Sequence, residues 1–349
     1  MNNEYFELHP SNELRTSDLF PRELDPKNLS PTAELLANDP YAFMFPYGDV
    51  KAKPFMYFHH GWRDHVRFNG VTDLGDDWLS HQHPGRFHDI MAQPGCTVTK
   101  KYERFDDGRT GYVIQVDEPF SQLIHYDDGS MRCREADVVD LLFKPLKYGN
   151  VDYGNMWKDN FQLLQPCLVS GFFDGTPVIG MGSYDRTYVT PEELAEHDIW
   201  ADSKYIYMVG HGVRQDGRME SYMLIIGLYG DKSNGINNAY YWIDGEEPIV
   251  VNDARIEAEW VHLPYVDDGT VVYKDAVIHI GDKVIHFNGK WGTKGYTKFP
   301  KIERHGQSQI HGTWYEGDEP YDHKMYYAWG EHNGAFDKVI EAYGLTVVD

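Results

Sequence analysis

The stretch Tyr205-Ile-Tyr-Met-Val-Gly-His-Gly-Val-Arg-Gln-Asp-Gly-Arg-Met-Glu-Ser-Tyr-Met-Leu-Ile-Ile-Gly-Leu-Tyr229 decides the fold class. Two runs of aromatic and aliphatic residues, Tyr205 to Arg214 and Met219 to Tyr229, flank Asp216-Gly217. Such side chains suit a pleated, half-buried surface. An Asp-Gly pair suits the turn between them, because a type I′ turn needs positive φ at both central residues. Along Tyr205 to His211, odd and even positions would face opposite sides of a sheet.

Outward from this hairpin the same grammar recurs in both directions. Upstream, Thr97 to Phe105 and Thr110 to Val116 flank Asp107-Gly108, Ser121 to Tyr126 and Met131 to Phe143 flank Asp128-Gly129, and Leu168 to Phe173 and Thr176 to Met181 flank Asp174-Gly175. Downstream, Ala239 to Ile243 and Pro248 to Val251 surround Asp244-Gly245, and Thr270 to Ile280 turns at Gly281-Asp282 into Lys283 to Asn288. Many short strands at regular spacing point to an all-β protein made of sandwiches or barrels. Helical signals are few. Thr32 to Asn38 fits one short turn, and Pro191 to His197, with Pro191 at the first position after Thr190, fits a short helix. Residues 1–40 are polar and carry Pro10, Pro21, Pro26, Pro31 and Pro40, so they read as an arm on the body. A seam near 190–203 then divides the rest into a first β domain, 41–195, and a second, 196–349.

Composition bounds the function. The 349 residues give ample chain for two cores, and aromatics reach 15%. Aromatic side chains also line pockets for flat or apolar ligands. The net charge of -23 would repel a phosphate backbone, which argues against nucleic acid and against a polyanionic substrate. Cys96, Cys133 and Cys167 are sparse, odd in number and without metal-type spacing, which suits a reducing compartment. The polar, acidic N-terminus is no signal peptide, and no apolar run is long enough for a membrane span. The expectation is a cytoplasmic protein. There is no GxGxxG after a strand, no Walker loop, no GxSxG elbow and no HExxH, so no nucleotide, redox or metal cofactor is expected from motifs. Exposed aromatic strands would suit a homo-oligomer.

Several clusters could carry chemistry. His81-Gln-His83-Pro-Gly-Arg-Phe-His88-Asp89 is the densest in histidine; on a strand His81 and His83 would share a face, as two imidazole ligands require. With His88 they resemble cupin spacing, and the alternatives are locally bonded loop histidines or a metal-free acid/base role. In His59-His60-Gly-Trp-Arg-Asp-His65 adjacent histidines face opposite ways, so only one of His59 and His60 can enter a pocket. Tyr184-Asp185-Arg186, at the end of an apolar run, is either a structural ion pair or an acid tuned by its neighbours. Gly210-His211-Gly212 permits close approach of a ligand or backbone, or marks a sheet bend. Tyr326-Tyr327-Ala-Trp329-Gly-Glu331-His332 is an aromatic strand ending in an acid and a histidine.

Residues Leu164 to Tyr188 resemble the lipocalin-like family of carotenoid hydratases, the hydroxyneurosporene synthases, and its relatives. Those proteins carry two strands about a short turn and then a motif like G-x-G-x-R-D-x-S-W-G. The match here is Gly171 to Phe173, Asp174-Gly175, Gly180, Gly182 and Asp185, with Tyr184, Thr187, Tyr188 and Val189 in place of the family's Arg, Ser, Trp and Gly. Asp140 to Pro145, Tyr205 to Tyr229 and Ala239 to Glu247 resemble neighbouring elements, so the likeness extends over about residues 95–345. It implies two consecutive lipocalin-like antiparallel β-barrels or sandwiches and a lyase of the hydratase or dehydratase type. Its substrate would be an apolar aromatic or terpenoid-like small molecule, handled by general acid/base catalysis without a cofactor. Asp185 would be the acid/base, tuned by Tyr184 and Arg186, with His211, His83 and Glu331 as further proton-transfer groups. His60, His88, Tyr188, Tyr327 and Trp329 would contact substrate. The alternatives are a metal enzyme using His81, His83 and His88, and a non-catalytic carrier of hydrophobic ligands.

Overall fold

The protein is represented by a computed structural model, which describes residues 34–46, 55–62, 66–73, 98–117, 120–145, 151–152, 161–189, 204–229, 232–247, 249–262, 271–288, 306–316, 318–333 and 346–347. Among the described residues every regular element is a strand. The chain divides into two compact units, the first holding the described residues of 34–189 and the second those from 204 onward. Each unit carries one antiparallel sheet.

The first sheet contains β1 (Glu34–Pro46), β2 (Phe55–Trp62), β3 (Val66–Asp73), β4 (Val98–Arg104), β5 (Thr110–Val116), β6 (Ser121–Tyr126), β7 (Met131–Glu135), β8 (Val139–Pro145), β9 (Val151–Asp152), β10 (Phe161–Phe173) and β11 (Thr176–Val189). Their spatial order is β3-β2-β1-β11-β10-β8-β7-β6-β5-β4, with β9 alongside β10. The second contains β12 (Lys204–Val213), β13 (Met219–Tyr229), β14 (Lys232–Ile243), β15 (Ile249–Val251), β16 (Arg255–His262), β17 (Val271–Ile280), β18 (Lys283–Asn288), β19 (Gly306–Glu316), β20 (Glu319–Tyr321) and β21 (Met325–Asn333). Its order is β15-β14-β13-β12-β21-β19-β18-β17-β16, with β20 alongside β19. Hairpins supply most of each sheet. One long-range pairing then joins the halves: β1 lies along β11, and β12 along β21. Among the described residues no ladder joins β3 to β4 or β15 to β16, so both sheets are open.

Alternation places the cores. In β8, Val139, Leu141 and Phe143 are buried while Asp140 and Leu142 are only half-buried. The buried set continues through Met131 and Cys133 on β7, Cys167 and Val169 on β10, Val178 and Tyr184 on β11, and Ala42 and Met44 on β1. The second core gathers Met208, Tyr222, Leu224, Tyr241, Trp260, Ile278 and Ile285 from β12 to β18. The strands β6 (Ser121–Tyr126) and β13 (over Met219–Gly227) are buried on both faces, and they carry Ser121, Gln122, His125, Glu220 and Ser221 as buried polar residues among apolar ones.

The turn chemistry differs from the expectation in a specific way. Positive φ at both central residues occurs at Asp174 (48°) and Gly175 (72°), the type I′ case. At Gly108, Gly129 and Gly217 the glycine N–H instead bonds the carbonyl three residues back, on Phe105, Tyr126 and Arg214, each at 2.9 Å. Only the glycine is left-handed there, which is the three-residue loop with a glycine bulge. The aspartate has its own task. Oδ1 of Asp107, Asp128 and Asp216 accepts the backbone N–H two residues on, at 3.0, 2.8 and 2.9 Å. The carboxylate thus holds the turn that the glycine permits.

Three further expectations are corrected. Met131 to Phe143 is not one run: Ala136, at φ 41°, and the Val138 N–H bonded to the Glu135 carbonyl break it into β7 and β8. Thr32 to Asn38 is not a helical turn, because from Glu34 onward the chain is strand. The arm therefore ends earlier than residue 40, since Glu34 to Pro40 already pair with β11. Pairing along all of β11 outweighs the weak local preference that suggested a helix. Pro40 has no N–H to give, and the β1·β2 ladder skips Asp39 and Pro40 while the β11 side continues. The short helix at Pro191 to His197 and the seam at 190–203 lie outside the described residues.

Candidate functional site

The strand registers sort the candidate residues onto faces. Tyr184 and Asp185 are consecutive on β11, so they occupy opposite faces of the sheet. Tyr184 is fully buried in the first core. Its hydroxyl donates to the Gly129 carbonyl at 2.7 Å, and its ring meets the edge of His125 at 6.1 Å between centroids. That phenol is a strut between β11 and the β6–β7 turn. Arg186 and Tyr188 fall on Tyr184's face by the same alternation. Sequence adjacency therefore does not gather Tyr184, Asp185 and Arg186 into one cluster.

Asp185 has other neighbours. It pairs with Leu164 of β10 on one side and with Asp39 of β1 on the other. Between the pairs Asn38 with Gly61 and Tyr41 with Phe58, the constant β1·β2 register sets His60 level with Asp39. His60 in turn pairs with Arg67 of β3. The row across four adjacent strands thus reads Arg67, His60, Asp39, Asp185, all on one face. The adjoining row on that face reads Asn69, Phe58, Tyr41, Ser183 and Pro166, and Phe43 and Met181 stand in the row beyond. Ser183, Pro166 and Met181 are buried, and Oδ1 of Asp185 is screened from solvent. Titratable positions are therefore set among aromatic and apolar ones, at strand spacings of about 4.8 Å.

Of the sequence candidates, Asp185 and His60 are brought into this row, and His60 is the one of the two adjacent histidines that shares Asp185's face. Asp39 and Arg67 were missed. The signal for Asp39 was present: Tyr41, Phe43 and Phe45 alternate at a period of two, a strand pattern in what reads by composition as the edge of an arm.

In the second sheet, His211, Tyr327, Trp329 and Glu331 are also brought to one face. His211 pairs with Tyr327 and Ser221, Val209 with Trp329, and Tyr207 with Glu331. This face lies opposite the second core, yet it is buried at Tyr207, Val209, His211, Ser221, Met223, Tyr240 and Trp242. His211 Nδ1 bonds Ser221 Oγ at 3.0 Å, and that hydroxyl bonds Tyr240 Oη at 2.9 Å. Burial pushes the imidazole down to about 3, so His211 is neutral at pH 7. Protonating it there costs roughly 5 kcal/mol, which disfavours it as a base and suits it to a fixed hydrogen-bonding role. The flanking Gly210 makes room for the Tyr222 ring: a Cβ at Gly210 would stand 2.1 Å from Tyr222 Cε1. The close approach expected at this glycine is made by a side chain of the protein itself.

A second polar group lies at the end of the second core. Glu220, fully buried, accepts from Arg214 Nη1 at 2.9 Å and bonds His323 Nε2 at 2.6 Å. The Arg214 guanidinium also stacks 4.2 Å over the Tyr321 ring. This triad fastens the β20–β21 turn to the β12–β13 hairpin. Sequence reading missed it because Arg214 and Glu220 are six residues apart but His323 lies 103 residues from Glu220. His81, His83 and His88 lie outside the described residues.

No family model matches the chain, and no curated protein matches it. Solved structures do. The protein assigned as AttH from Nitrosomonas europaea superposes with a TM-score of 0.46 at 12% identity, over 90% of this chain and 97% of that one. CghA, solved with Sch210972, gives 0.44 at 11% identity over 89% and 92%. Kievitone hydratase from Nectria haematococca gives 0.50 at 10% identity over 87% of this chain and 90% of the enzyme. The chain shares the all-β, lipocalin-like fold of that hydratase.

Proposed function

We propose that the protein is a hydratase-type lyase that adds water to, or removes it from, an apolar aromatic or terpenoid-like small molecule by general acid/base catalysis. The observation that carries this reading is the register that aligns Asp185, Asp39 and His60 in one row beside Phe58 and Tyr41. Hydration moves protons and no electrons, so carboxyl and imidazole groups are sufficient for it. Two aspartates paired across a ladder are costly when both are ionised, and a shared proton relieves the cost. That provides one acid and one base at about one strand spacing.

In this mechanism Asp185, protonated, gives its proton to one carbon of a double bond. Water attacks the other carbon and loses a proton to Asp39. The pair then returns the proton from Asp39 to Asp185, and the net change is one water added. Elimination runs the same steps in reverse. Apolar neighbours exclude competing water and strengthen the charge interactions. The shared fold with kievitone hydratase gives supporting analogy only.

The test is a panel of alkenyl phenols, terpenoid alkenes and the matching alcohols, scored by mass spectrometry for gain or loss of one water. Wild type is expected to convert at least one class. Asp185→Asn should lower the rate by roughly a hundredfold or more with unchanged circular dichroism. Full activity in that variant overturns the assignment.

A further inference from the structure

We infer that the buried face of β12, β13 and β14 bearing His211, Ser221 and Trp242 binds an uncharged aryl ketone, whose carbonyl oxygen accepts from Trp242 Nε1. This site belongs to the second sheet and rests on nothing said of Asp185.

Donors and acceptors on this face do not balance. Register sets His211 opposite Ser221 and Ser221 opposite Trp242, so the three form one row. Tyr240 stands in the adjoining row, opposite Met223, and all five residues are buried. Ser221 Oγ bonds both His211 Nδ1 and Tyr240 Oη, so those three groups supply one another. Trp242 does not join them. Its Nε1 is sealed from solvent and meets no acceptor among the described residues. An indole only donates, so the group that completes this face must bring an acceptor. A buried N–H without one is costly, and nearly all such groups are paired. That acceptor carries no charge. Ser221, Met223, Tyr240 and Trp242 are uncharged at pH 7 by residue type, and burial holds His211 neutral, so an anion here would lack a counter-ion. A carbonyl oxygen offers two lone pairs without charge. The rings of Tyr240 and Trp242 and the thioether of Met223 suit an aromatic body beside it. The face also has an open margin. Val250, on the edge strand β15, pairs with Tyr240 and is 64% exposed, whereas Tyr240 is fully buried. The covering therefore ends within one strand spacing of Tyr240, and a ligand can reach the row from that edge.

The experiment titrates the full chain with benzophenone, diphenylmethane and para-benzoylbenzoate. The first two differ only in a carbonyl for a methylene, and the third adds a carboxylate. Calorimetry should show benzophenone binding roughly tenfold more tightly than diphenylmethane, and the carboxylate more weakly than benzophenone. Trp242→Phe keeps an aromatic ring and removes the donor, so it should bind ketone and hydrocarbon equally. In a proton–nitrogen NMR spectrum, the indole signal absent from that variant should move downfield with the ketone and not with the hydrocarbon. Irradiation of the wild-type complex needs no variant to fold. It should attach benzophenone within β13 or β14, located by peptide mass spectrometry. Equal binding of ketone and hydrocarbon by wild type, an undiminished ketone preference in Trp242→Phe, or labelling confined to other strands overturns the inference. So does the absence of ketone binding, the result expected if a water alone serves Trp242 Nε1.

Discussion

Replacing His211 by Asn should flatten the response of stability to acid. The imidazole is fully buried and held neutral, with its affinity for a proton pushed down to about 3 by the loss of water around it. In the unfolded chain an ordinary histidine titrates at about 6.5. Between these values the unfolded state binds a proton that the folded state refuses, so stability is fully present above about pH 6.5 and falls as the pH drops toward 3. From pH 7.5 to pH 5 this one group removes roughly 2 kcal/mol, at about 1.4 kcal/mol per pH unit once the unfolded imidazole is charged. Asparagine sets an amide near the place of Nδ1 and can keep the bond to Ser221, but it does not titrate. Urea unfolding of wild type and His211→Asn at both pH values isolates the effect, because the other histidines are common to both proteins. The variant should lose about 2 kcal/mol less than wild type over this interval. Equal losses would show that His211 is charged or solvated in the folded protein, and the argument from burial would fail.

The other expectations are simpler to state. Glu220→Gln keeps the volume and removes the charge, depriving the Arg214 guanidinium of the buried Glu220 carboxylate; unfolding free energy should fall by roughly 3–5 kcal/mol, measured by denaturant titration. Gly210→Ala drives a methyl into the fully buried Tyr222 ring and should cost about 1–3 kcal/mol, with the largest spectral shifts in a protein NMR comparison near Tyr222. Asp39→Asn should lower turnover in the hydration panel as Asp185→Asn does, and the double variant should be little worse than either single one, because the two act as a unit. An additive double-variant loss would contradict the shared-proton pair.

Much of the architecture was open to local reading. Thr110 to Val116, Ser121 to Tyr126, Met219 to Tyr229 and Lys283 to Asn288 are strands with the limits expected for them, since each run meets a turn whose chemistry is written in adjacent residues. Elements without such a turn were harder. Arg255–His262, mixed and partly exposed, and Gly306–Glu316, mixed in sequence, were not anticipated as β16 and β19. The candidate site divides in the same way. Asp185 and His60 stood out by residue type and local setting, whereas Tyr184, next to Asp185 in sequence, faces the other side of the sheet and serves the core.

By itself, then, the amino-acid sequence determined an all-β chain of hairpins, the places where glycine and aspartate turn it, and the residues with chemistry to offer. Those properties are local, set by φ preferences, alternation and hydrogen bonds a few residues long. Tertiary structure alone decided that β1 lies along β11 and β12 along β21, because such pairings are fixed by the burial of whole faces and leave no signal at either strand. A shift of one residue in the β1·β11 register would send Asp39 to the face of Tyr184. It is this register that sets Asp39 opposite Asp185, with His60 and Arg67 beyond it.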